Sequence, residues 1–71
     1  MRNETVEQIV NLLFQDVEMT DEVQALYDET MSNCQERYQD MTSRGLSDDD
    51  AIAAVVESLK GMEDVISQYP K

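Results

Sequence analysis

The side chains in this sequence that could do chemistry are one thiol, three phenols and many carboxylates: Cys34, Tyr27, Tyr38, Tyr69 and sixteen aspartates and glutamates, with no histidine. Asp48, Asp49 and Asp50 are consecutive, and hard cations favour clustered carboxylate oxygens. A calcium loop, however, alternates its oxygen ligands and needs a glycine and a late glutamate at set places, and nothing around the triplet supplies that order. The aspartates are better explained as the acidic start of a helix, where free N–H groups and the positive end of the dipole favour negative charge. Cys34 has no imidazole to generate a thiolate, and it lies on an apolar face, one turn from Thr30 and from Tyr38, so it reads as core. The three tyrosines read as core or core-edge residues whose hydroxyls reach water. Only five basic residues are present, two of them near the termini, so no cluster exists to grip a phosphate or carboxylate substrate. The sequence therefore assigns no catalytic residue, no metal ligand and no cofactor, and the expectation is a protein that is not an enzyme.

Charge and size narrow the partners. Sixteen acidic residues against five basic ones give a net charge of −11, which repels nucleic-acid phosphate and anionic lipid and favours a basic protein. Glu18, Asp21, Glu22, Asp28, Glu29, Glu36 and Asp40 form a solvated polar face that such a partner could use. Seventy-one residues allow one domain with a small core, and a lone cysteine provides no disulfide, so self-association as a homodimer is a structural alternative. A third reading is an acidic decoy that mimics nucleic acid in a basic partner's site. Residues 1–5 carry no basic segment leading into a long apolar run, and the densest apolar cluster, Ile52 to Val56, is far shorter than the roughly 20 residues a membrane-crossing helix needs. No membrane insertion is expected, and the single unpaired thiol fits a reducing, cytoplasmic setting.

The elements that must position these residues are helical throughout, since apolar residues recur at three- and four-residue steps and no strand alternation is visible. The chain is organised around a long central helix over about 21–44, with Val23, Leu26, Tyr27, Met31, Cys34, Tyr38 and Met41 on one face and Thr20 as its cap. A first helix over about 4–17, capped by Asn3 or Thr5, carries Val6, Ile9, Val10, Leu13, Phe14 and Val17 on its buried side and leaves Leu12 off it. Arg44 and Gly45 close the central helix, and Leu46 follows as an apolar clip. Ser47 then caps a third helix over about 48–60, with Asp50 in the reciprocal position of a capping box. Gly61 either ends that helix or bends it. We take it as a break, with a short fourth helix over about 62–69 that holds Met62, Val65, Ile66 and Tyr69 and stops at Pro70. The expected class is all-α: a single domain over residues 1–71 with three helices and a short fourth.

The run Arg44-Gly45-Leu46-Ser47-Asp48-Asp49-Asp50-Ala51-Ile52, followed by Leu59-Lys60-Gly61, resembles the small bacterial helical domains called HAAS, for HTH-associated α-helical signalling. Those domains show a glycine, a capping hydroxyl, an acidic triplet, Ala-Ile, and a Leu-Gly pair that opens a short last helix. The long helix with an aromatic, acidic second half, here Tyr27 to Met41, matches in kind, and the resemblance spans roughly Val6 to Tyr69. It implies the cytoplasmic N-terminal module of a bacterial membrane protein, with protein-protein signalling as its work and a PadR-like transcription regulator as partner. It brings no catalytic residues. The chain departs from the family in having no proline near Gly61 and no transmembrane segment after Pro70 within these residues. Leu12 and Met19, left over after packing, and the acidic face of the central helix are the expected contact surface.

Overall fold

Each helix begins where a side-chain oxygen takes up one of the first free backbone N–H groups. In the computed structural model, which describes residues 3–69, Asn3 accepts from the Val6 N–H at 3.0 Å and opens α1, Glu4–Phe14. Thr20 accepts from Val23 at 3.2 Å and opens α2, Asp21–Ser43. Ser47 accepts from Asp50 at 3.2 Å and opens α3, Asp48–Ile66. The expected return bond, from the Ser47 N–H to the Asp50 carboxylate, does not form among the described residues; aspartate is one methylene shorter than the glutamate of a full capping box. The acidic first turns, Glu4 and Glu7, Asp21 and Glu22, and Asp48 to Asp50, all meet positive dipole ends.

The helix ends differ from expectation in instructive ways. α1 stops at Phe14 rather than near residue 17, because the N–H groups of Gln15 and Val17 bond the carbonyls of Leu12 and Phe14, three residues back. That tighter turn still returns Val17 to the core. α2 closes at Gly45, whose φ of +97° belongs to the left-handed region; the Gly45 N–H bonds Thr42 O at 3.1 Å and the Leu46 N–H bonds Met41 O at 3.2 Å. This is the paired-bond closure that a side chain on the glycine would strain.

The break expected at Gly61 is absent, and so is the separate helix over 62–69. α3 runs unbroken from Asp48 to Ile66, past the predicted end at residue 60, and the N–H groups of Ser67, Gln68 and Tyr69 close a final turn on Glu63, Val65 and Ile66. Val55, Leu59 and Ile66 are buried on one face with Met62 packed beside them, and that burial outweighs the roughly 1 kcal/mol by which glycine disfavours a helix interior. Leu59 and Gly61, which the family resemblance set at the opening of a last helix, thus lie inside α3. The stop expected at Pro70 lies outside the described residues.

α2 is the spine. Its 23 residues imply a rod about 34 Å long, which accounts for most of the 39 Å long dimension of the molecule. α1 and α3 each pack on it more extensively than on one another. The core joins Val6, Val10 and Phe14 of α1, Val23, Met31 and Cys34 of α2, and Val55, Leu59 and Ile66 of α3. Thr30 is buried among them, at the centre of the α2 stripe, seven residues after Val23. Phe14 and Tyr27 meet edge to face with ring centroids 5.3 Å apart. No buried side-chain nitrogen or oxygen is left without a partner among the described residues. The fold is therefore a small all-α, three-helix unit.

The two glycines have opposite roles. A methyl group at Gly61 would meet nothing within 4 Å, so Gly61→Ala removes only the unfolded-state entropy of glycine and is expected to stabilise by about 0.5–1 kcal/mol. Gly45→Ala forces a side chain into a positive φ and is expected to cost about 1–2 kcal/mol. Thermal unfolding followed by circular dichroism should move by a few degrees up for the first and down for the second, at roughly 4–8 °C per kcal/mol for a domain of this size.

Candidate functional site

The thiol and the three phenols are taken up in packing the helices and tying them together. Cys34 is 4% exposed, and burial pushes its thiol above the ordinary value of 9.0, with the nearby Arg37 charge acting weakly the other way. A thiol held protonated in an apolar seat is packing material rather than a nucleophile. The Tyr38 hydroxyl donates to Asp48 Oδ1 at 2.8 Å, which ties the last turns of α2 to the start of α3. Tyr69, just beyond α3, donates to Glu22 Oε1 at 3.2 Å in the first turn of α2. Tyr27 donates to Asn11 Oδ1 and joins α2 to α1. The rings lie against the core as expected, but the hydroxyls reach acceptors on neighbouring helices. In the acidic triplet all three residues are exposed, with Asp48 engaged by Tyr38; no group of three or more Cys, Asp or Glu is arranged to hold a metal ion among the described residues.

Gln35 was not singled out in the sequence. Its Nε2 donates to the Asn3 carbonyl at 3.0 Å while its Oε1 accepts from the Asn3 N–H at 2.7 Å. Both polar groups of one backbone residue are satisfied by one side chain, so the start of α1 is pinned to the middle of α2.

What remains is surface shape. Between α1 and α3, on the side of the molecule away from α2, runs an apolar groove of about 380 Å³ lined by Ile9, Leu12 and Leu13 from α1 and Val56, Leu59, Lys60 and Glu63 from α3. It continues past Leu13 and Glu63 into a smaller hollow of about 180 Å³ bordered by Asp16, Val17, Ile66 and Ser67. Leu12 is 62% exposed, in line with its place off the buried stripe. Val56 is 40% exposed although it falls within the densest apolar cluster of the sequence, Ile52 to Val56. The helical repeat puts it at the margin of the stripe, about 100° round from buried Val55 and about 60° from buried Leu59, where the packing of a neighbouring helix decides its exposure. Met19, in the connection after α1, is 48% exposed, as expected for an apolar residue left over from packing. The outward surface of α2 is polar, with Asn33, Glu36, Arg37 and Asp40 around a shallow depression and an Arg44–Asp40 ion pair at 3.2 Å on its edge.

No helix among the described residues is long and apolar enough to cross a membrane. The only ion pairs among those residues join neighbours on one helix, Asp40 with Arg44 and Glu57 with Lys60, and such exposed pairs contribute little.

The hydroxyl clasps predict a pH dependence. Hydrogen bonds to Asp48 and Glu22, helped by partial burial and by the carboxylate charges, raise the pKa of Tyr38 and of Tyr69 above the ordinary 10.0, and burial raises that of Cys34. The folded state thus holds these protons more firmly than the unfolded chain does. Their contribution is complete at neutral pH and is lost as pH climbs from about 9 through the raised folded values. Denaturant midpoints should be level from about pH 7 to 8 and fall toward pH 11, and the Tyr38→Phe/Tyr69→Phe variant should show a shallower fall. An equally steep fall in that variant would mean that the two clasps do not drive it.

Comparison with protein-family models, curated proteins and solved structures finds no match for this chain.

Proposed function

We propose that the chain is a non-enzymatic protein-protein interaction module of a bacterial regulatory system, working by presenting a fixed surface to another protein. The observation that carries this reading is the pair Leu12 and Val56, exposed apolar side chains from different helices that the core does not use and that, unlike exposed Met19, Leu46 and Val65, share one groove. The resemblance to HAAS domains over Arg44 to Ile52 supports it as well. Under that resemblance the module is the cytoplasmic N-terminal part of a membrane-associated regulator, and its partner is a PadR-like transcription regulator.

The decoy reading draws less support from the same surface. Exposed Glu22, Glu29, Glu36 and Asp40 share one face of α2 at axial steps of about 6 to 10 Å, whereas phosphates follow one another at about 3.4 Å per strand. A purely structural homodimer meets a different obstacle, because each copy brings a net charge of −11 to the contact.

Capture on the immobilised chain from bacterial lysate, run at low and at high salt, tests the proposal. A transcription regulator or membrane protein retained at both salts is the expected result, since an interface with an apolar centre is only mildly salt-sensitive. Recovery of a nucleic-acid-binding enzyme that is lost steeply with salt would replace the proposal with the decoy reading, and recovery of nothing would overturn it.

A further inference from the structure

The geometry points to the α1–α3 groove as the seat of a basic amphipathic helix supplied by another protein, an inference that rests on the interaction-module reading above and gives it a site and a partner chemistry. The groove lies between two helices whose other sides are covered by α2, so an occupant would lie across the seam from the spine. A helix suits such a seat for a physical reason. It satisfies its own backbone hydrogen bonds and offers ridges that interdigitate with those of α1 and α3, whereas an extended peptide would need an exposed strand edge, and no strand occurs among the described residues. Along α3, from Val56 to Ile66, the seam is about 15 Å long, room for nearly three turns of a docked helix.

Charge selects the occupant. Asp16 and Glu63 border the groove, against one cation among the described residues that line it, Lys60, which itself stands 3.1 Å from the Glu57 carboxylate. A chain of net charge −11 adds a long-range field of the same sign. An occupant with leucines or isoleucines at i, i+3, i+4 and i+7 would fill the space beside Leu12 and Val56, and lysines or arginines on its flanks would face Asp16 and Glu63. A second copy of this chain would instead bring its own carboxylates to the same place, where like charges across an interface oppose binding.

The test uses a synthetic leucine/lysine peptide with leucines at helical spacing, a scrambled peptide of the same composition, and a leucine/glutamate peptide of the same spacing. Binding is read by titration calorimetry, and the site by amide chemical shifts of the full chain. The expected result is that only the patterned basic peptide binds, with shifts centred on Ile9, Leu12, Leu13, Val56 and Glu63. Leu12→Ser should weaken it by about ten-fold while lowering the unfolding temperature by no more than a few degrees, because a mostly exposed side chain leaves no cavity and only the poorer helix propensity of serine is felt. Glu63→Lys should weaken binding and Lys60→Glu should tighten it, each by a few-fold. Equal binding of the scrambled peptide, shifts centred on the α2 carboxylates, or a chain whose sedimentation shows a dimer that Leu12→Ser dissolves would each overturn the inference. The lysate capture separates its failure from that of the broader reading: a regulator still retained by the Leu12→Ser/Val56→Ser variant sinks the groove and leaves the module standing, while no capture by the unaltered chain sinks the module.

Discussion

The whole arrangement depends on burying the stripe of α2, from Val23 through Met31 to Cys34, between two helices that could not cover their own apolar faces alone. The chain must do this against strong self-repulsion, since its carboxylates outnumber its cations by eleven and are carried on all three helices. Coulomb repulsion between exposed charges is screened and spread over the surface, whereas the apolar contact is local and gains roughly 25 cal/mol for each Å² removed from water. With a long thin shape, 39 Å by 21 Å by 14 Å, the molecule has one layer of core residues and little redundancy.

That thinness explains where the polar groups go. A single apolar seam leaves the helices free to slide or splay, and the beginning of each is held by a directional bond. Gln35 grips the backbone of Asn3 at the beginning of α1, Tyr38 reaches Asp48 at the beginning of α3, and Tyr69 reaches back to Glu22 at the beginning of α2. Two of the three clasps use a carboxylate that also complements a helix dipole, so one charge does two jobs. The tyrosines and the acidic first turns, which look like candidate reactive groups when read as isolated residues, are accounted for as positioning devices.

How far the sequence could be read follows from the range of each interaction. Caps, buried stripes and the left-handed Gly45 are written within four or five residues of themselves, and Thr20, Ser47, Val6, Val10 and Phe14 all behave as their neighbours dictate. Gly61 does not, because locally a glycine argues for an end while the last turn of α3 is held by packing of Ile66 and Met62 against distant residues. The Asn3–Gln35 clamp spans 32 positions and has no local signature. Thr30 is buried by its central register, while its polar type gives no sign of that place. The groove was half visible. Leu12 stands off its stripe by helical angle alone, but the exposure of Val56 depends on where α1 comes to rest beside α3, a fact of tertiary structure.

Isolated apolar residues on a surface are ordinary, and Met19 and Leu46 ask for no explanation beyond the turns they occupy. Leu12 and Val56 differ in kind. Leu12 is about 200° round α1 from buried Val10, so no rotation that keeps Val6, Val10 and Phe14 inside can bring it to the core. Val56 stands about 100° from buried Val55 and about 60° from buried Leu59, at the margin of its stripe, and the packing of α1 beside α3 leaves it 40% exposed. Neither side chain contributes to the seam that holds the fold, yet the two lie along one groove, with carboxylates at its borders. A core this small accounts for every other large apolar side chain of α1, Val6, Ile9, Val10, Leu13 and Phe14, which makes the unspent Leu12 a feature that folding does not require and that contact with another molecule would use.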